Sequence, residues 1–104
     1  MKKYNVEITR EAELQMQRYL EYLLIDLKSE QSYKAVKEDY LETLERMTSV
    51  AGSLRICENP KFAKRKIRKI LFSIHRYVVL YRLYNDTTDV VIGVYHTMQD
   101  YEIK

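Results

Sequence analysis

Between Lys61 and Arg82 the chain carries eight Lys or Arg and no acid, and its last strand-like run ends on His96. Guanidinium and ammonium groups stabilise negative charge at phosphorus, and an imidazole exchanges protons near neutral pH, so this combination suits work on phosphates. The charge candidates are Lys64, Arg65, Lys66, Arg68, Lys69, Arg76 and Arg82, with Lys61 opening the block, and the proton-transfer candidates are His96 and Tyr101. Residues 1–58 hold nine bases and eleven acids, and residues 83–104 hold one base and four acids. The net +3 therefore conceals a local +8. Such asymmetry points to an anionic partner: RNA, DNA or an acidic protein segment. Nothing suggests metal or covalent chemistry, because the acids are scattered, only two His exist, and no spacing places Cys57 with either of them. No cofactor is implied.

At 104 residues the chain supports a single domain, 1–104, built around one core. A hydrophobic content of 46% with only two Gly and one Pro opposes disorder. The lone Cys57 excludes an internal disulfide and suits a reducing compartment. No apolar run reaches membrane-spanning length and no signal-peptide layout opens the chain, so the expected location is cytoplasmic, with no membrane partner.

Periodicity places the elements that must position these groups. Tyr4, Val6 and Ile8 alternate with polar residues and predict a strand over 3–8. Thr9 offers an N-cap, and Ala12, Met16, Tyr19, Leu20, Leu23, Leu24 and Leu27 predict an amphipathic helix over 10–28. A second helix, capped by Ser32, carries Tyr33, Val36, Tyr40, Leu41, Leu44 and Met47 on one face and fades near Gly52. So short a link makes the two an antiparallel hairpin. Residues 52–60 read as a loop and 67–74 as a strand, with a possible helical turn at 64–69. Tyr77–Tyr84 and Val90–His96 then form a hairpin around Asn85-Asp86-Thr87-Thr88, with Val90, Ile92, Val94 and His96 expected on one face. The order β-α-α-β-β-β is that of an α+β domain, a helical hairpin packed on a small, mainly antiparallel sheet.

With these elements in place, the chain resembles the RelE/ParE superfamily of type II toxins, the plasmid-stabilisation proteins. YNVEITREAELQMQRYLEYL is similar to that family's opening strand and first helix, and HRYVVLYRLYNDTTDVVIGVYH to its arginine-rich hairpin ending in His. The resemblance covers residues 4–102. It implies a cognate antitoxin, a toxin–antitoxin hetero-oligomer, and one of two activities. RelE-like members cleave mRNA on the ribosome, whereas ParE-like members poison DNA gyrase without cutting nucleic acid.

Metal-free RNA cleavage activates a 2′-hydroxyl, stabilises charge at phosphorus and protonates the departing 5′ oxygen. Under the resemblance His96 would move protons, Arg76, Arg68 and Lys69 would hold phosphate, and Tyr101 matches loosely a tyrosine near the end of RelE-like chains. Lys61, Lys64, Arg65, Lys66 and Arg82 would meet nucleic acid or antitoxin. Two positions depart from the family pattern: its middle arginine is Val78 here, and the basic pair after the His is Met98-Gln99. The basic strand and His96 favour a ribosome-dependent endoribonuclease. The departures favour a gyrase inhibitor or an RNA-binding member without catalysis.

Overall fold

A computed structural model describes residues 3–98. Its elements run β1 (Asn5–Ile8), α1 (Arg10–Glu21), a π-helical turn (Tyr22–Asp26), α2 (Glu30–Val50), α3 (Pro60–Lys64), β2 (Arg68–Leu71), β3 (Tyr77–Asn85) and β4 (Thr88–His96). The four strands lie in the order β1-β4-β3-β2, with β1 parallel to β4 and the other pairs antiparallel. This is the α+β architecture expected from periodicity, with a mixed sheet because β1 runs alongside β4.

Thr9 begins α1, its hydroxyl accepting from the Ala12 N–H at 3.2 Å, and Glu11 and Glu13 occupy the first turn where the helix dipole favours acids. The helical period then breaks. The Leu27 N–H donates to the Tyr22 carbonyl across five residues, and the extra residue rotates the apolar stripe away from the core. Leu24 and Leu27, expected inside, are therefore 41% and 54% exposed. Lys28 turns the chain at φ 50°, and Ser29 rather than Ser32 caps α2, accepting from the Ser32 N–H. Along α2, Val36, Asp39, Tyr40, Thr43 and Met47 are buried at helical spacing, while Leu41 faces out.

The main core lies between the helices and one sheet face, where Ala12, Met16, Val36 and Met47 meet Val79, Tyr81, Val91 and Val94. A second, smaller core occupies the reverse face. There the chain after α2 runs as the expected loop as far as Asn59, and α3 follows it, with Asn59 capping the helix and Pro60 in its first turn. Phe62, Ile67 and Cys57 pack against Leu80, with Ile92 and Tyr95 alongside. Both faces of β3 are thus buried at its start, which is why YVVLYR reads as a continuous apolar run rather than an alternation.

A register shift between Leu80 and Tyr81 corrects the expected grouping on β4. Leu80 pairs with Gly93 and Tyr81 with Val91, so Ile92 is the extra residue of a bulge. Val91 and Val94 face the helices while Ile92 belongs to the reverse core. The bulge flips parity midway, and His96 ends up beside Tyr77 and Tyr19 on the helical side.

Candidate functional site

The eight charges of the basic block, contiguous in sequence, are dispersed by the fold. Lys61, Lys64, Arg65 and Lys66 are exposed on α3 and the turn after it, where Lys66 takes φ 55°. Arg65 lines a groove of about 510 Å³ with Thr9, Arg10, Ile92 and Tyr95. Lys69 points to the reverse side, opposite Leu80, and borders a depression of about 830 Å³ with Arg55, Cys57 and Glu58. Arg82 is exposed, paired in register with Val90.

Arg68 alternates to the helical side. Its Nη1 donates to the carbonyls of Gly52 (3.0 Å) and Leu54 (2.7 Å), closing the chain that leaves α2. Next to it the Tyr81 hydroxyl donates to the Ala51 carbonyl at 2.7 Å, and burial pushes that phenol's pKa far up. The neighbouring Gly52 packs under the Tyr4 hydroxyl, and a Cβ there would force the Tyr4 ring to shift. Arg68→Ala should therefore lower stability by about 1–3 kcal/mol, read from the urea midpoint. A variant as stable as the parent would release Arg68 from this structural role and return it to the phosphate candidates.

His96 sits at the far end of the sheet from Arg68. Its ring meets Tyr77 edge-on at 5.1 Å, its Nδ1 accepts from the Met98 N–H at 3.1 Å, and its own N–H donates to the Tyr19 hydroxyl at 3.1 Å. With Nδ1 accepting, the neutral ring carries its proton on Nε2. Burial raises the Tyr19 pKa. Lys69 lies opposite Leu80 and His96 opposite Tyr77, about 10 Å apart along β3 and on opposite faces. The fold thus separates His96 from Lys69 and Arg68. It does bring Arg76 to the His96 end, since the Arg76 carbonyl accepts from the Thr97 N–H at 2.8 Å. Tyr101 falls outside the described residues.

One cluster was not anticipated. Asp39, buried on α2, accepts from the backbone N–H groups of Ser73 (3.1 Å), Ile74 (3.0 Å) and His75 (2.7 Å), and it meets His75 Nδ1 at 2.8 Å. Burial works against ionisation, but the donors from His75, Ile74 and Ser73 outweigh it and hold the carboxyl below its ordinary pKa. The available signal was Asp39 itself, an acid at a core position of the α2 stripe. A depression of about 510 Å³ opens beside this turn, lined by Leu71, Phe72, His75, Arg76, Tyr77 and Thr97. A second buried acid, Asp89, is 0% exposed, with no hydrogen-bond partner for either oxygen among the described residues, and desolvation pushes its pKa up to about 6. Among the described residues no three His, Cys, Asp or Glu converge to hold a metal, and no helix is long and apolar enough to cross a membrane.

Comparison with known proteins bears on this geometry. The family model described as "ParE toxin of type II toxin-antitoxin system, parDE" matches residues 6–101. A solved chain of the chromosomal ParDE toxin–antitoxin system from P. aeruginosa has the same fold, with a TM-score of 0.70 at 17% identity, covering 90% of this chain and 96% of that one. No curated protein matches.

Proposed function

The chain belongs to the ParE toxin family of type II toxin–antitoxin systems, and on that premise we propose that it arrests growth by binding DNA gyrase rather than by cutting mRNA. The observation that carries this reading is the dispersal of the cleavage set. A metal-free nuclease needs its proton-transfer group and phosphate-holding cations within reach of one phosphorus. Here Arg68 clamps the carbonyls of Gly52 and Leu54, Lys69 lies on the other face from His96, and His96 Nδ1 already accepts a backbone N–H. A binding toxin needs no such convergence.

Membership of a type II toxin–antitoxin family implies a cognate antitoxin as the partner that restrains it. Exposed Lys61, Lys64, Arg65 and Lys66, beside the groove floored by Ile92 and Tyr95, suit an acidic segment carrying apolar side chains. Ribosome-dependent endoribonuclease activity is the second reading, favoured by the placement of Arg76 and His96 at one end of the sheet.

Inducible expression without antitoxin separates the two, following labelled thymidine and methionine over the first minutes. Thymidine incorporation should fail first, with an SOS response, and His96→Ala should arrest growth as the parent does. Methionine incorporation failing first, with cut mRNA and a harmless His96→Ala variant, would sink the gyrase reading in favour of the nuclease.

A further inference from the structure

We propose that the corner formed by His75 and Arg76, with Asp39 behind it, is a binding site for a phosphodiester group. The site starts from the turn between β2 and β3. Three consecutive backbone N–H groups, Ser73 to His75, converge on the Asp39 carboxylate, so the turn is fixed against α2 rather than left to move. The same carboxylate receives His75 Nδ1 at 2.8 Å. A carboxylate only accepts, so Nδ1 carries a proton and Nε2 is the ring atom left to meet a ligand. The Asp39 side chain is 0% exposed and the His75 side chain 29%, which puts the orienting acid inside and the oriented imidazole at the surface.

Arg76 follows directly. It is exposed, its guanidinium has no partner among the described residues, and it shares the wall of the 510 Å³ depression with His75 and Thr97. Among the described residues no acid lines that depression. Two carboxylates meet the β2–β3 turn: Asp39, whose charge is taken up by four donors, and Glu42, which accepts from the Ser73 hydroxyl at 3.3 Å. An arginine fork takes two oxygens of one anion side by side, and an imidazole adds a donor from a second direction. Two non-bridging oxygens on a tetrahedral centre fit that pair. Leu71, Phe72 and Tyr77 supply an apolar floor for the sugar that flanks the phosphate.

The source of the phosphate, DNA or RNA, rests on the functional reading above; the site does not. The test uses the full chain, isotopically labelled, with short single-stranded DNA and RNA oligonucleotides of matching sequence, following the His75 ring by NMR. Saturable shifts of His75 are expected. Arg76→Gln, at an exposed position, should weaken binding roughly tenfold or more. Lys34→Gln, on the outer face of α2 in an ion pair with Glu30, should leave it unchanged. A response to DNA alone or to RNA alone supports the site and identifies the source, and a response to both supports recognition of the backbone in general. No shift of His75 with either oligonucleotide would overturn the proposal. So would equal weakening by Arg76→Gln and Lys34→Gln, which marks diffuse charge attraction, or a shift produced only by an acidic peptide. Growth arrest that persists in a chain failing this titration would remove the site and leave the toxin reading intact.

Discussion

Asp39→Ala is expected to destabilise the fold by about 3–5 kcal/mol, because it strips a buried carboxylate from four donors at once. The three N–H groups of Ser73, Ile74 and His75 lose their acceptor where the turn meets α2. His75 loses the 2.8 Å bond to Asp39 that orients its ring. Arg46 limits the damage, since its Nη2 still donates to the Leu71 carbonyl at 2.8 Å and keeps β2 on α2. The pH dependence follows from the depressed pKa of the folded state. Asp39 contributes its stability above the unfolded pKa, about 3.9, and that contribution is lost as pH falls through the lower folded value. Urea titrations of parent and variant should therefore differ by the full amount at neutral pH and by less in strong acid, where a protonated Asp39 keeps only the neutral part of its contacts. A variant within about 0.5 kcal/mol of the parent at neutral pH would remove Asp39 as the anchor of the β2–β3 turn.

Asp89→Asn is expected to act in the opposite direction, stabilising the protein by about 1–3 kcal/mol at slightly alkaline pH. Asp89 sits on β4 between Val6 of β1 and Leu83 of β3, fully buried. Its carboxyl is raised to about 6 by desolvation. A raised folded pKa means the native state holds its proton more tightly than the unfolded chain. The penalty grows as pH rises from about 3.9 and is fully present above the folded value. Two units correspond to about 3 kcal/mol, and the buried amide of Asn keeps part of the desolvation cost, hence the lower end of the range. The advantage of the variant should fall away as pH drops below about 3.9, where the parent carboxyl becomes neutral in the unfolded chain as well as in the fold. Loss of stability on substitution at alkaline pH would show that the ionised carboxylate is accommodated in solution.

These expectations concern acids that sequence periodicity treats differently. Asp39 falls on the apolar stripe of α2 between Val36 and Tyr40, so its burial was legible and only its partners were hidden. Those partners are more than thirty residues away, on a turn whose sequence, Ser73-Ile74-His75, carries no distinctive signal. His75 is silent in the sequence for that reason, while His96 stands at the end of the last strand pattern. The π turn hid Leu24 and Leu27 from the same logic, because five apolar and acidic residues in a row fit an α-helix as well as a π one.

Local chemistry determined the element order, the N-cap at Thr9, the hairpin from Tyr77 to His96 and the charge of the 61–82 block, since each depends on residues a few positions apart. The family resemblance followed from the same order, and the match over residues 6–101 agrees with it. Which charges share a surface was decided only by the tertiary structure. Alternation along β2 sends Arg68 to the helical side and Lys69 to the reverse, and one bulge at Ile92 exchanges the faces of β4 before His96 is reached. A contiguous run of cations becomes a clamp on a loop, a groove wall and a corner beside His75, because a strand distributes neighbours to opposite faces while a sequence keeps them side by side.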